Sequence, residues 1–454
     1  MSAVDVLRTR PYRLPVNPLP ALALAAISTL IAVSLAVALY RYPPSWAVAL
    51  VVGVGMTGVL ALAIARYEAA VTLGFLLFGV VVVEPAPPDG VFAIVIAVAF
   101  VTGRFDLGRV PLAVFVLLGA FIFLNLLSTI EAIDPAVAGR FMAITVYLAV
   151  FAVWFTSYLD SERRARGVVR AYAGTATVVA LLASLALFVP FPGSDLILAN
   201  EATRATGLFE DPNVFGPFLI PAALIVLEEI LNPRLLRSSR LFKLVMFLAL
   251  SCGVLFSYSR AAWVNYVVAV VVLLGVMAMR RGGGRKAFAV LSLMIVAGIA
   301  ALGAVAVTGS IGFLQERAKF QSYDVERFGA QRTGIQLAEQ YPFGIGPGQF
   351  DVVVPVSTHS TYVRTLAEQG VLGMVVIIAL FITTLVFAGR NAVLGRDSYG
   401  IGSAALLAAW IGILVNSFVV DTLHWRHLWF VAALVWVGAM RPAAAVDPDT
   451  DPRR

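Results

Sequence analysis

The sequence predicts an all-α polytopic membrane protein of about 12–14 transmembrane helices, with one long loop before a late helix. Three observations predict it. Of the 454 residues, 60% are hydrophobic and only 13% charged, whereas a soluble domain is apolar over roughly half its length. The apolar residues fall in repeated runs of roughly 20, the length at which a helix crosses about 30 Å of hydrocarbon while satisfying its own backbone groups. A long polar interval over 308–370 interrupts these runs once. The single cysteine, Cys252, sits inside an apolar run; it excludes an intramolecular disulfide and reads as packing rather than thiol-ligated metal.

In chain order, spans are expected near 20–40, 45–65, 68–84, 90–103, 110–130, 137–158, 167–189, 212–231, 241–257, 260–279, 287–308, 361–388, 400–420 and 428–440, all within one integral membrane domain over 1–454. The first run, Pro20 to Tyr40, follows Arg8, Arg10 and Arg13 and is longer than a signal-peptide core, so it is expected to stay as an anchor. The third and fourth flank the turn EPAPPDG, and the last is short for a crossing.

A net charge of +7 would suggest nucleic acid in a soluble protein, but here the cations lie between spans, where they orient the chain. With a cytoplasmic N-terminus, alternate loops hold Arg104 and Arg109, the run ERRAR from Glu162 to Arg166, Arg234 through Lys243, RRGGGRK from Arg280 to Lys286, and Arg390 with Arg396. All of these then fall on the cytoplasmic side of the cytoplasmic membrane with both termini, and the loop 308–360 is extracytoplasmic. The tail 441–454, rich in Pro and Asp, is expected to be disordered and cytoplasmic. Against the orientation bias, Arg204, Arg260, Arg317, Arg327, Arg332 and Arg426 stand on the outer side, which implies that something outside needs them.

Within the loop, Glu326 to Gln340 places Phe328, Ile335 and Ala338 near helical spacing, as in a helix lying on the outer surface. YPFGIGPGQF then breaks it with Pro and Gly. His359, in STHSTYVRTLAEQG, stands where loop becomes span. The positive end of the helix dipole there lowers its pKa, and a neutral imidazole suits a general base; the plainer alternative is a surface histidine capping the helix.

Arg260 in FSYSRAAW and Arg204 in RATGLFEDPN either snorkel to the interface or bind phosphate, which the planar guanidinium fork favours. Asp211 and Asn213 are expected to cap the next helix, with Pro212 in its first turn. His424 and His427 have i, i+3 spacing without a third metal ligand, so interfacial anchoring beside Trp425 and Trp429 is expected and no metal site is assigned.

Three stretches together, RATGLFEDPNVFG, SYSRAAW, and ERFGAQRTGIQLAEQYPFGIGPGQF running into THSTYVRTLAEQGVLG, resemble the O-antigen ligase and polymerase superfamily of bacterial envelope glycosyltransferases. The likeness covers Arg204 to Gly373; order, spacing and membrane side all agree. The resemblance implies a GT-C-like fold that transfers a glycan from a polyprenyl diphosphate, such as undecaprenyl diphosphate, to an acceptor hydroxyl outside the cytoplasmic membrane, without nucleotide sugar, cofactor or metal. It implies that His359 is the base and that Arg204, Arg260 and Arg327 bind the diphosphate, with Arg332, Arg317 and Tyr362 in support. Where the family often has Asn after this histidine, this chain has Ser360.

The chemistry agrees with that implication. Breaking a sugar–diphosphate bond builds negative charge that arginines stabilise, and deprotonation of an acceptor attacking the opposite face of the anomeric carbon gives inversion. Membrane lipids and a lipid-linked glycan are the expected partners, with a glycan, lipid or protein as acceptor and no nucleic acid. A transporter of lipid-linked or soluble glycans is the alternative from another class; transporters place binding groups near the midplane on broken helices, often within repeats, whereas here the candidate groups gather at one face. Motifs of a peptidoglycan polymerase are not found, and ligase and polymerase, which differ in acceptor, both stay open.

Overall fold

Helix starts follow from the capping residues that precede the apolar runs. In the computed structural model, which describes residues 46–199, 203–279, 283–307, 312, 315, 316, 319 and 322–441, the first helices are α1 (Trp46–Ala65), α2 (Tyr67–Leu76), α3 (Pro87–Val101) and α4 (Leu112–Ser128). Asp134 accepts from Ala136 and Val137 backbone N–H groups to start α5 (Pro135–Tyr158), and Ser161 caps α6 (Glu162–Ala186). A short antiparallel pair, β1 (Leu198–Ala199) with β2 (Arg204–Ala205), precedes α7 (Pro212–Leu231). As expected, Asp211 caps α7 by accepting from Asn213 N, with Pro212 in the first turn, where its missing N–H costs nothing. There follow α8 (Arg240–Phe256), α9 (Arg260–Met279), α10 (Gly283–Val307), α11 (Ser322–Gln340), the single turn α12 (Phe350–Val353), α13 (Thr361–Leu394), α14 (Ser403–Asn416) and α15 (Arg426–Met440).

The molecule is therefore all-α and polytopic. Among the described residues, six helices, α4 to α7, α9 and α13, are long and apolar enough to cross a membrane. Shorter apolar helices, among them α2 at 10 residues and α3 at 15, stand at the expected positions 45–65, 68–84, 90–103, 400–420 and 428–440, and α8 and α10 stand at 241–257 and 287–308. The expected span 20–40 and the tail from 442 lie outside the described residues.

The core lies around α7 and α15. Although α15 is short, other helices enclose it: Trp429, Phe430 and Trp436 are at most 1% exposed, as a helix apolar on all sides should be. The ring of Phe430 meets Tyr172, Phe75, Phe155 and Phe78 at centroid distances of 5.0, 5.3, 5.3 and 5.7 Å, within the range of favourable aromatic pairs.

Alternation of the helices brings the cationic loops to one end. There Arg109 and Arg164 share Asp160 (3.3 and 2.8 Å), Arg234 pairs with Asp397, and Arg441 donates to the Asp397 carbonyl. At the opposite end are β2, the start of α9 and the start of α13. Arg426 is also there but serves packing: it forks onto Asp89, with Nε to Oδ1 at 2.7 Å, and ties α15 to α3.

The polar interval is built into α13. At Gly370 the helix breaks, with φ +71° and ψ −174°, and the loop 342–350 fills the break. Ile345 N and Gly346 N donate to the carbonyls of Ala367 and Glu368 (both 3.0 Å), and Val371 N donates to Pro342 O (3.3 Å). Buried Glu368 accepts from Gly348 N at 2.8 Å and Phe350 N at 3.3 Å. A Cβ on Gly344 would lie 2.2 Å from the Glu368 carbonyl, and one on Gly370 2.1 Å from the Pro342 carbonyl, so glycine is required on both sides of the joint.

Candidate active site

At the end opposite the cationic loops, a cavity of about 610 Å³ is lined by the polar side chains of Arg204, Asn213, Arg260, Tyr323, Asp324, Arg327, Gln331 and His359. Its apolar wall comes from Ala261 and Val264 of α9, Phe328 of α11, and Val415, Phe418 and Val419 at the end of α14. Arg204, Arg260, Arg327 and His359, which belong to β2, α9, α11 and the turn before α13, thus meet in one place.

Arg204 is only 6% exposed. The β-pair presents it to the end of α8, where Nε donates to Ser257 O at 3.0 Å and Nη2 to Asn213 Oδ1 at 3.4 Å. Snorkelling does not describe it: the group is held inside. Arg260 opens α9 immediately after Ser259; it donates through Nη1 to Lys319 O (3.0 Å) and through Nη2 to the Tyr323 hydroxyl (2.9 Å) and Asp324 Oδ1 (2.6 Å). Arg327, one turn along α11 from Tyr323, lies over the same ring at 4.9 Å.

His359 is in the left-handed region at φ +46°, in a turn where Ser360 N donates to Thr358 Oγ1 at 3.4 Å. Burial holds its imidazole below the ordinary value, and the Arg327 charge adds to this while Asp211 opposes it. The lowering expected at a helix start is thus met in direction, but its causes are desolvation and a neighbouring cation. Ser360 caps α13 by accepting from Val363 N (3.4 Å) and donates to Ser417 O (3.5 Å).

The expected supporting residues divide. Tyr362 stands behind the apolar wall, its hydroxyl donating to Leu414 O at 3.0 Å and its ring 4.5 Å from that of Phe418. Arg332 is exposed on α11 and is not among the lining residues. Arg317 lies outside the described residues.

Two other expectations are corrected. The surface helix begins at Ser322, and it buries Ala330, Gly334 and Ala338, one residue per turn, while Phe328 and Ile335 stay exposed. Small residues win that face because α11 packs on α13, and close helix approach needs short side chains. His424 and His427 do not anchor at an interface. His424 bonds Thr145 Oγ1 through Nε2 at 3.0 Å, and buried His427 packs beside Phe218 and Trp425.

The sequence reading missed Tyr323, Asp324 and Gln331, although Tyr323 and Asp324 precede Arg327 by four and three residues, the spacing of one helix face. It also missed buried Arg364, which pairs with Asp351 and, at 3.2 Å, with Asp421. That arginine ties the segment before His359 to the connection between α14 and α15.

An all-α polytopic membrane protein with a cationic, histidine-bearing cavity at one end is the class that fold and site define. Residues 245–378 match a family model described as O-antigen ligase. That segment, running from α8 into α13, carries Arg260, Arg327 and His359. A search of curated proteins returns no match.

Proposed function

We propose that this protein is a glycosyltransferase that moves a glycan from a polyprenyl-diphosphate carrier to an acceptor hydroxyl at the outer face of the cytoplasmic membrane. The observation that carries the reading is the convergence of Arg204, Arg260, Arg327 and His359 on one cavity at the end away from the cationic loops. Three guanidinium groups suit the charge that grows on a diphosphate as its bond to the sugar lengthens, and their fixed partners spare reorganisation during reaction.

His359, neutral at physiological pH because of burial and Arg327, takes the proton of the acceptor hydroxyl as its oxygen attacks the anomeric carbon. The C–O bond to the diphosphate breaks on the opposite side, the bonding pair leaves with the phosphate oxygen, and the configuration inverts. Val264, Phe418 and Val419, which are 52%, 61% and 43% exposed, give the polyprenyl chain an apolar route from the cavity into the bilayer.

The test is turnover by purified protein supplied with a polyprenyl-diphosphate glycan and candidate acceptors, without an ion gradient. A glycosylated acceptor of inverted configuration is expected. Movement of unreacted glycan across a vesicle membrane, with no new glycosidic bond, would replace the enzyme reading with transport.

A further inference from the structure

We infer that Tyr323 is the positioning residue of the lipid-diphosphate site: its ring holds Arg260 and Arg327 together, so that one wall offers two guanidinium groups to one diphosphate. The inference rests on the donor reading above and deepens it.

Both guanidinium groups lie over this ring, their Cζ atoms 5.5 Å and 4.9 Å from its centre. Two cations side by side in a half-buried wall repel, and the negative ring face offsets that repulsion by attracting each. The hydroxyl adds a direct bond, accepting from Arg260 Nη2 at 2.9 Å. Asp324, 7% exposed, pins the same Nη2 at 2.6 Å. A carboxylate so buried does not release its partner cheaply, so Arg260 stays on α11 when a ligand enters and meets it with its remaining N–H groups. Tyr323 then sets the spacing of Arg260 relative to Arg327, and a pair of spaced forks matches a ligand with two phosphates better than a ligand with one.

The experiment measures binding of farnesyl diphosphate, farnesyl monophosphate and farnesol to the full chain in detergent. Wild type is expected to prefer the diphosphate. Tyr323→Leu should weaken diphosphate binding about tenfold, the scale of losing two cation–π contacts, while monophosphate binding falls much less, so that the selectivity ratio collapses. Tyr323→Phe, which keeps the ring, should restore most of the ratio. A Tyr323→Leu protein that unfolds leaves the ratio in Tyr323→Phe and Tyr323→Trp as the measure, and loss of selectivity with either ring intact would sink the inference. Equal loss for both phosphates in Tyr323→Leu would reduce Tyr323 to a packing role and overturn it as well. Failure of wild type to bind farnesyl diphosphate better than farnesol would remove the donor reading itself, an outcome separate from the others.

Discussion

His359 holds a backbone conformation, φ +46°, that costs a residue with a Cβ about 1–3 kcal/mol and tends to persist at functional sites. Its environment favours the neutral ring, and general-base catalysis is worth about 10² to 10⁴ in rate. His359→Ala should lose turnover by about that factor in a glycan-transfer assay while keeping donor affinity. Because its pKa is lowered, the acid limb of the wild-type rate should fall below pH 6.5, the ordinary value, and should be missing from the residual activity of the variant. Arg260→Lys keeps the charge but loses the fork, so donor affinity should drop about tenfold or more, whereas Arg332→Lys, outside the cavity, should match wild type. His424 is a separate case: burial depresses its pKa to about 4. Protons then bind the unfolded chain more than the native one as pH falls from 6.5 toward 4, and stability falls across that window. Thermal melting of His424→Phe between pH 7 and 4 should show a weaker decline than wild type.

At the level of elements, the joint between α13 and the loop 342–350 decides how the turn bearing His359 is carried. Gly370 adopts φ +71° with the Pro342 carbonyl in the space a Cβ would take. Gly370→Ala should therefore cost several kcal/mol, on the order of an overpacked core combined with a strained backbone, and should lower the melting temperature sharply. Gly389, in the regular part of the same helix with no atom within 4 Å of its Cβ position, is the control; Gly389→Ala should stabilise by about 0.5–1 kcal/mol. Gly and Pro in YPFGIGPGQF were readable as a helix breaker, but the loop's partner was not. The broken turn at Ala367–Glu368 lies inside the expected span 361–388 and becomes visible only when the loop's N–H groups are seen to use its carbonyls.

At the level of the whole molecule, alternate ends collect alternate charge patterns, and this predicts sidedness. With Cys252 replaced by Ala, Gln336→Cys on the exposed face of α11 should react with an impermeant thiol reagent in intact cells. Arg237→Cys, in the exposed connection before α8, should react only after permeabilisation. The reverse pattern would invert the protein in its membrane and separate the cavity from an extracytoplasmic acceptor.

Composition and run length alone determined that the chain is helical and polytopic, because a bilayer leaves the backbone few other ways to satisfy its polar groups. Local chemistry likewise determined helix starts such as those at Pro135, Pro212 and Thr361, since caps act over a few residues. The candidate arginines were legible as outliers from the charge bias, and His359 by its place where loop becomes span. Only the tertiary structure decided that Arg204, Arg260, Arg327 and His359 share a cavity while Arg426 and Arg364 are spent on internal ion pairs. A guanidinium group carries the same letter in either role; which partner it meets depends on helices distant in sequence that pack side by side, such as α3 with α15 through Asp89 and α9 with α11 through Asp324.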